Sequence, residues 1–383
     1  MDLEQCRWTP AGVWEPRAPG RLRDVQLALV FGGPAALKDR SLCGQVAAAY
    51  PDAYLFGCST AGDIFGTEVS DDSLVVTAIR FERTRVVGRS TRIEGPEDSL
   101  AAGERLARSL DGEGLVHVLV LSDGLHVNGS KLVEGLAGHL PPAVTVTGGL
   151  SGDGPRFKET LVLGGGGGMA GLAETRTIAA VGFYGPSLRV GYASLGGWDP
   201  FGPERLITRS DGNVLYELDG RSALELYKTY LGPHAHELPA SGLLFPLSLR
   251  ADEGGTPVVR TILSVDEGES SMTFAGDVPE GSYARFMKAN FDRLIDGAMG
   301  AARTSCEAVG STSPDLALLV SCVGRKLVLK QRVEEEVEGV REVLGERTVL
   351  AGFYSYGEIS PFTPDARCEL HNQTMTITTL TER

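Results

Sequence analysis

The sequence lacks several features that would assign the protein to a specialised class. No apolar run reaches the ~18 residues of a membrane-spanning helix, and no basic segment with an apolar stretch opens the chain, so we expect neither membrane insertion nor secretion. The six cysteines contain no CxxC pair, which favours reduced, buried thiols in a cytoplasmic protein. Stripes of Lys and Arg with interleaved aromatics are missing, and a net charge of −14 repels phosphate backbones, so nucleic acid is not an expected partner.

Motifs for metals and nucleotide cofactors are also incomplete. His234 and His236 alternate and Glu237 follows, but the sequence offers no third convergent ligand. The glycine run 164–168 is not followed by the Lys-Ser/Thr pair and helix of a phosphate loop, so we interpret it as a hairpin tip. Segment 148–154 is not followed by the helix of a dinucleotide-binding fingerprint. We therefore expect neither a metal nor a cofactor.

What the chain does contain is typical of an ordinary globular protein. Hydrophobic residues make up 42% of the sequence and charged residues 22%. A length of 383 residues is more than one ordinary core accommodates, so two domains are expected. We predict a first domain over residues 21–205 and a second over residues 206–383.

One sequence pattern recurs three times, over residues 25–79, 116–183 and 316–380. Each copy consists of an apolar strand, a loop and helix, a second strand, a turn rich in small residues, and a closing apolar strand. Such a recurrence indicates one supersecondary unit used three times. The predicted fold is α/β (mixed α+β), with mixed sheets flanked by helices and built from repeated β-α-β-turn-β units.

Between the second and third copies the pattern changes. A hairpin is predicted over residues 206–220, with a helix from Ala223 to Leu231 that ends at Gly232-Pro233. A longer helix is predicted from about residue 284 to 308, with Phe291, Leu294 and Ile295 on its core-facing stripe.

The turn of the third copy, residues 351–359, carries the most side chains suited to a small polar ligand. An α-amino acid presents a carboxylate and an ammonium group, so a selective site needs a cation on one side and a carboxylate on the other. Arg325 and Glu358 are our candidates for these roles, and turns from the first two copies are expected to face the same site. The candidate ligand-binding residues are Cys322, Arg325, Gly352, Tyr354, Ser355, Tyr356, Glu358, His371, Asn372, Ser59, Thr60, Ser151 and Asp153.

Other interpretations of these residues remain open. Arg325 and Glu358 can simply pair with each other and fasten two turns. Cys322 can act as the nucleophile of an acyl-transfer or hydrolytic enzyme, with its pKa lowered by Arg325 and with His371 as its base. The acidic helix 331–344 can dock a partner protein if the chain is a scaffold, although a solvated helix surface has the same composition.

Several of these segments resemble a known family. The C-terminal half is similar to the FIST C domain through LYELDG (215–220), GDVPEG (276–281), SCVGR (321–325), AGFYSYGEI (351–359) and HNQT (371–374). The N-terminal half is similar to the FIST N domain through GCSTAG (57–62) and GGLSGDG (148–154). The resemblance implies a sensory module of signal transduction that binds small molecules such as amino acids, without catalysis. Many family members carry output domains, and since none follows here, a separate signalling partner protein is expected.

Overall fold

The computed structural model describes residues 1–166, 173–238, 240–251, 257–310, 313–362 and 366–383. The strands of the first half are β1 (Asp2–Trp8), β2 (Trp14–Glu15), β3 (Leu27–Gly32), β4 (Tyr54–Ser59), β5 (Asp63–Phe65), β6 (Glu68–Ser70), β7 (Leu74–Arg80), β8 (Arg85–Arg92), β9 (Leu115–Ser122), β10 (Thr145–Leu150), β11 (Val162–Gly166), β12 (Thr177–Tyr184) and β13 (Leu188–Leu195). Its helices are α1 (Pro34–Lys38), α2 (Arg40–Ala49), α3 (Ser99–Arg108) and α4 (Gly129–Ala137).

The second half continues the numbering. Its strands are β14 (Trp198–Asp211), β15 (Val214–Leu218), β16 (Arg221–Ser222), β17 (Leu247–Arg250), β18 (Val258–Arg260), β19 (Ile262–Asp266), β20 (Ser271–Phe274), β21 (Tyr283–Ala289), β22 (Leu316–Cys322), β23 (Val349–Ser355), β24 (Gly357–Pro361), β25 (Cys368–His371) and β26 (Met375–Glu382). Its helices are α5 (Ala223–Leu231), α6 (Phe291–Val309), α7 (Val323–Leu329) and α8 (Val333–Leu344).

The three copies of the sequence pattern fold alike, which confirms the predicted α/β fold of repeated units. In each copy the first two strands are parallel, as the pairs β3/β4, β9/β10 and β22/β23. The closing strand of each copy, β7, β12 or β26, lies antiparallel to the first strand. Helices connect the two parallel strands because a parallel crossover needs a long connection.

Each unit also lends the strand after its turn to another unit. Strand β5 of the first unit pairs with β23 of the third, β11 of the second pairs with β4 of the first, and β24 of the third pairs with β10 of the second. A matching set of outer strands, β1, β8 and β13, covers the closing strands. The exchange is cyclic, so the three sheets interlock in a threefold-like arrangement.

Both faces of the first strands are buried, which explains their continuous apolar sequences. Leu29, Leu119 and Leu318 of the three units meet in one shared core between the sheets. The alternate residues pack against helices instead: Val30 lies with α1 and α2, and Val120 with α3 and α4. The period of two along each strand thus separates a central core from helix-covered outer cores.

A curled antiparallel sheet, formed by β14–β21 in the order β18-β17-β21-β14-β15-β20-β19, is inserted between β13 and α6. Helix α5 covers it and has the predicted bounds; its Tyr227 packs in a core with Phe286. The predicted long helix begins only at Phe291, because residues 283–289 alternate between buried and exposed positions and form β21. Phe291 itself is 45% exposed and lies outside the core stripe predicted for it.

The sheets do not follow the linear division into two halves. The proposed boundary at residue 205 lies inside β14, and two of the three unit sheets combine strands from both halves. The body is therefore one interlocked structure of three units, onto which the inserted sheet packs. Of the predicted glycine hairpin tip, residues 164–166 belong to β11, and residues 167 and 168 lie outside the described ranges. Among the helices described, none combines the length and apolar character needed to cross a bilayer.

Candidate functional site

The turn at the end of each second strand depends on one glycine. A Cβ atom added there would lie 1.8–1.9 Å from a carbonyl oxygen of the neighbouring first strand, at Gly57, Gly148 and Gly352. No side chain fits within that distance, so glycine is required at the equivalent position of every unit. Gly352, which the sequence suggested as a ligand-binding residue, lies here in close backbone approach to the neighbouring strand.

The three turns meet in a ring of backbone hydrogen bonds. The donor of each bond is the backbone amide of the fourth residue after a turn glycine. The acceptor is the backbone carbonyl of the second residue after the turn glycine of another unit. The bonds run from Ala61 to Tyr354 at 2.8 Å, from Gly152 to Ser59 at 2.9 Å and from Tyr356 to Leu150 at 3.1 Å. The structure therefore brings together the turns of both halves of the chain.

Two of the turns contain the same hydroxyl–carboxylate pair. Thr60 donates to Asp63 at 2.5 Å in the first unit, and Ser355 donates to Glu358 at 2.6 Å in the third. The backbone amide and hydroxyl of Thr374 also donate to Glu358, at 3.2 and 2.9 Å. Both carboxyl groups are fully buried, and burial raises the pKa of Asp63 to about 6 and that of Glu358 from its ordinary 4.5 to about 8.

A pocket of about 300 Å³ opens beside this ring, and we call it the junction pocket. All three units contribute to it: the turn of the first, the segment after the turn of the second, and helix α7 of the third. Its lining residues are Gly33, Thr60, Ala61, Gly62, Asp71, Asp72, Gly154, Pro155, Arg156, Val323, Lys326 and Leu327. The pocket thus has two basic and two acidic side chains at its wall.

Two protein-family models match this chain. The FIST N domain model matches residues 26–221 and the FIST C domain model matches residues 223–361, which together span most of the chain. The chain belongs to the FIST family. FIST domains form a sensory family of signal transduction, which supports a sensory role for this protein.

The chain is also similar to individual bacterial proteins and to a solved structure. Uncharacterized proteins of Mycobacterium bovis and Mycobacterium tuberculosis are 26% identical over 320 residues, covering 80% of this chain and 78% of theirs. Another uncharacterized M. tuberculosis protein is 26% identical over 335 residues, covering 84% of this FIST chain and 82% of its own. A solved cyanuric acid hydrolase from A. caulinodans is 12% identical, with a match that covers 78% of this chain and 99% of its own and a TM-score of 0.19.

Arg325 of this FIST protein does not face a ligand site. Its side chain has no exposed surface and forms an ion pair with the equally buried Glu336 at 2.7 Å. Its other hydrogen bonds go to the carbonyls of Gly196 at 3.0 Å and Leu294 at 2.7 Å. Arg325 therefore forms neither the predicted carboxylate clamp nor the alternative pair with Glu358. Its partner is instead Glu336 of helix α8, a residue that the sequence analysis did not connect with Arg325.

The tyrosines of the third turn bond to protein groups, Tyr354 within its own unit and Tyr356 to the second unit. The hydroxyl of Tyr354 donates to Glu336 at 2.6 Å, and Tyr354 is fully buried. The hydroxyl of Tyr356 donates to Asp153 and to the carbonyl of Gly154, the latter at 2.8 Å. Both side chains therefore bind protein groups and do not close over a cavity.

Asp153, Ser151 and Ser59 also have partners within the fold. The carboxylate of Asp153 accepts three backbone N–H groups from residues 157–159, at 2.8–3.0 Å. Ser151 donates to the carbonyl of Ser122 at 3.0 Å, and Ser59 accepts the amide of Leu161 at 2.8 Å. Of the candidates from the first two copies, Thr60 is the one that lines the junction pocket.

The remaining candidates lie in the buried interior behind the third turn. His371 is 1% exposed and its Nε2 bonds to the carbonyl of Ser360 at 2.8 Å; burial lowers its pKa to about 4. Asn372 is fully buried, and its Nδ2 donates to the carbonyl of Tyr356 at 3.5 Å. His371 thus connects β25 to β24, whereas the buried Oδ1 of Asn372 has no hydrogen-bond partner among the described residues.

The alternative of a cysteine nucleophile has little support in this geometry. Cys322 is 2% exposed, and burial together with the nearby Glu358 raises the pKa of its thiol well above its ordinary range. The opposing effect of Arg325 is the smallest of the causes. His371, its proposed base, is already bonded to a backbone carbonyl. A neutral, covered thiol is a poor nucleophile.

The acidic helix is mostly engaged with the protein itself. Glu334 accepts the amide of Val69 at 3.1 Å, Glu335 pairs with Arg332 at 2.8 Å, and Glu336 is buried against Arg325. The described residues contain no group of three or more His, Cys, Asp or Glu side chains suited to a metal ion.

Sequence reasoning missed the charged residues of the junction pocket. Lys326 follows Arg325 directly on the short helix α7, and adjacent residues of a helix point in different directions. Lys326 therefore lines the pocket, whereas Arg325 does not. Asp71 and Asp72 form a doublet before strand β7, and Arg156 follows the turn of the second unit. Charged doublets beside the small-residue turns were the available signal, but exposed loops commonly carry such residues.

Proposed function

We propose that this FIST protein senses a small zwitterionic metabolite, with an amino acid as the simplest case, by binding it in the junction pocket without turnover. The volume of about 300 Å³ lies at the lower end of the range found for ligand pockets, which suits a small molecule. Because all three units line the pocket, one ligand can contact all of them. This position supports a role in which occupancy alters how the units are held together.

One observation carries the proposal: Arg156 and Asp72 line the same pocket, and neither forms an ion pair with a described residue. Arg156 has no ion pair with any described carboxylate, and the carboxylate of Asp72 accepts no hydrogen bond from a described residue. The carboxylate of an amino acid can pair with Arg156, while its ammonium group pairs with Asp72. Charge-assisted hydrogen bonds of both signs select a zwitterion over a simple acid or amine.

Lys326 is held in place on the same wall. Its Nζ donates to the carbonyl of Ala61 at 2.9 Å and to Asp71, and lies 5.7 Å from the ring centre of Tyr354. Its side chain is only 16% exposed, so it is fixed before a ligand arrives. A positioned ammonium group lowers the entropy cost of binding a carboxylate.

The test is a thermal-shift screen of the standard amino acids, followed by calorimetric titration of those that stabilise the protein. Arg156→Gln and Asp72→Asn each remove one charge from the pocket. Each is expected to weaken binding about 10- to 100-fold, since a hydrogen bond to a charged group contributes ~1.5–3 kcal/mol. The decarboxylated amine and the deaminated acid of the same ligand are expected to bind as weakly.

Exposed residues away from the pocket supply matched controls, namely Arg189→Gln and Asp52→Asn. These variants are expected to bind like the wild type. The proposal is wrong if no amino acid stabilises the protein at millimolar concentration, or if Arg156→Gln and Asp72→Asn bind the ligand with unchanged affinity.

A sensory role also requires a signalling partner protein, which we propose recognises the ligand-bound form. We further propose a cytoplasmic location, supported by six cysteines that form no disulfide, five of them buried. Pull-down from lysate with and without the ligand tests the first statement, and fractionation of cells tests the second.

A further inference from the structure

A second, larger cleft separates the three-unit body from the inserted sheet. Its volume is about 890 Å³, and its walls come from helix α4 and strand β10 on one side and strands β17 and β18 on the other. Strands β18 and β25 are both edge strands, and the cleft lies where these two sheet edges meet. It shares no lining residue with the junction pocket.

Apolar side chains dominate both walls of this cleft. Val133 and Leu140 lie on one side, and Leu249 and Val258 on the other, with Leu370 of β25 between them. Such a surface favours a ligand with an apolar body, because its burial removes hydrocarbon from water.

Arg260 is the one buried charged side chain among the described residues of the cleft wall. It is 6% exposed, and no described carboxylate lies within 4.0 Å of it. Its Nη1 donates to the carbonyl of Leu370 at 2.8 Å and its Nε to the carbonyl of Asp277 at 3.2 Å. No described acceptor takes a hydrogen bond from Nη2, so this nitrogen has donors available for a ligand.

The charge of Arg260 persists at neutral pH. Burial lowers its pKa to about 10, and the more distant Glu369 and Asp277 oppose that change. Among the acidic groups at the cleft, Glu134 pairs with Lys131 at 2.8 Å and Asp277 accepts from Asn128, whereas the exposed Glu369 forms no ion pair with a described residue and lies beyond contact distance of Arg260. A buried cation without a contacting anion is costly, and an anionic ligand group would offset that cost.

We propose that this cleft binds a small organic anion with an apolar body, whose carboxylate or similar group accepts hydrogen bonds from Nη2 of Arg260. The apolar part lies between α4 and the edge of the inserted sheet. This site is separate from the junction pocket and takes a ligand of different chemistry, so neither proposal depends on the other.

The experiment compares decanoate with decanol, which has the same chain without the charge, by calorimetric titration below the concentration at which either aggregates. Decanoate is expected to bind saturably and at least tenfold more tightly than decanol. Ala137→Trp places a large side chain in the cleft from the exposed end of α4, and is expected to weaken decanoate binding at least tenfold. Ala101→Trp, at an exposed position of α3, is the matched control and is expected to bind like the wild type.

Arg260→Gln tests the anion contact itself and is expected to make decanoate and decanol bind equally. Because Arg260 also connects β18 to β25, its folding is checked by circular dichroism, and Ala137→Trp keeps the test valid if the arginine variant unfolds. The proposal is overturned if decanoate shows no saturable binding to the wild type, or if decanol binds the wild type as tightly as decanoate does. It is also overturned if Ala137→Trp binds decanoate with the affinity of the wild type. Asp72→Asn, which alters only the junction pocket, is expected to leave decanoate binding intact.

Discussion

Replacing Arg325 with methionine separates a structural arginine from a ligand-binding one. The substitution keeps much of the buried volume but removes the charge that pairs with Glu336 at 2.7 Å. Removing one partner of a buried ion pair typically costs ~3–5 kcal/mol, because the other charge remains buried without compensation. Here Glu336 keeps the hydroxyl donors of Ser321 at 3.1 Å and Tyr354 at 2.6 Å, which reduces the loss.

Two further bonds are lost in the same variant. The carbonyls of Gly196 and Leu294 both accept from Arg325, and leaving a buried acceptor without a donor costs ~1–3 kcal/mol. The terms overlap, so we expect a total decrease in the free energy of unfolding of about 4 kcal/mol. A second variant, Arg325→Met with Glu336→Gln, removes both charges and is expected to recover about 2 kcal/mol of that loss.

Urea unfolding followed by circular dichroism measures these differences. Arg303→Met, at an exposed position of α6, is the control and is expected to change stability by less than about 0.5 kcal/mol. The interpretation is refuted if Arg325→Met is as stable as the control variant, and above all if it also loses the affinity for an amino acid ligand.

Other predictions concern the turns. Between pH 6.5 and 8 the folded protein keeps a proton on Glu358 that the unfolded chain has released, so this group is expected to lower wild-type stability by about 1.5 kcal/mol over this range relative to Glu358→Gln, measured by urea unfolding. The buried His117 and His371, with folded pKa values of about 3 and 4, bind protons near pH 6.5 only in the unfolded chain, so they oppose this fall equally in both proteins and cancel in the comparison. Gly352→Ala places a Cβ atom 1.9 Å from the carbonyl of Leu319 and is expected to lower stability by more than about 3 kcal/mol, whereas Gly44→Ala, with open space in helix α2, is expected to be neutral or stabilising. Cys322 is expected to resist a thiol reagent at neutral pH until urea unfolds the protein, and rapid labelling of the folded protein would revive the nucleophile hypothesis.

Local patterns in the sequence were sufficient to predict the repeated unit and several of its elements. The three strand–helix–strand copies have short-range signatures, since both the apolar runs and the small-residue turns depend on neighbouring residues. Helix α5 has the predicted bounds because Ser222 caps its start and Gly232 ends it. Residues 283–289 show the limit of such patterns, because a short apolar stretch before a helix fits either period.

The sequence by itself determined that three alike units exist, because the apolar strands and small-residue turns that recur follow from chain segments of a few residues. Tertiary structure alone decided how the units exchange strands and which charged groups meet. Several carboxylates lie near Arg325 in the sequence. Glu336 is its partner because α8 packs against β22 and β23, which brings Glu336 to Arg325, Ser321 and Tyr354. Lys326, one residue further along the same helix, thereby reaches the junction pocket. Pairing between distant segments is set by the shape and burial of the whole fold, so neighbouring residues carry little information about it.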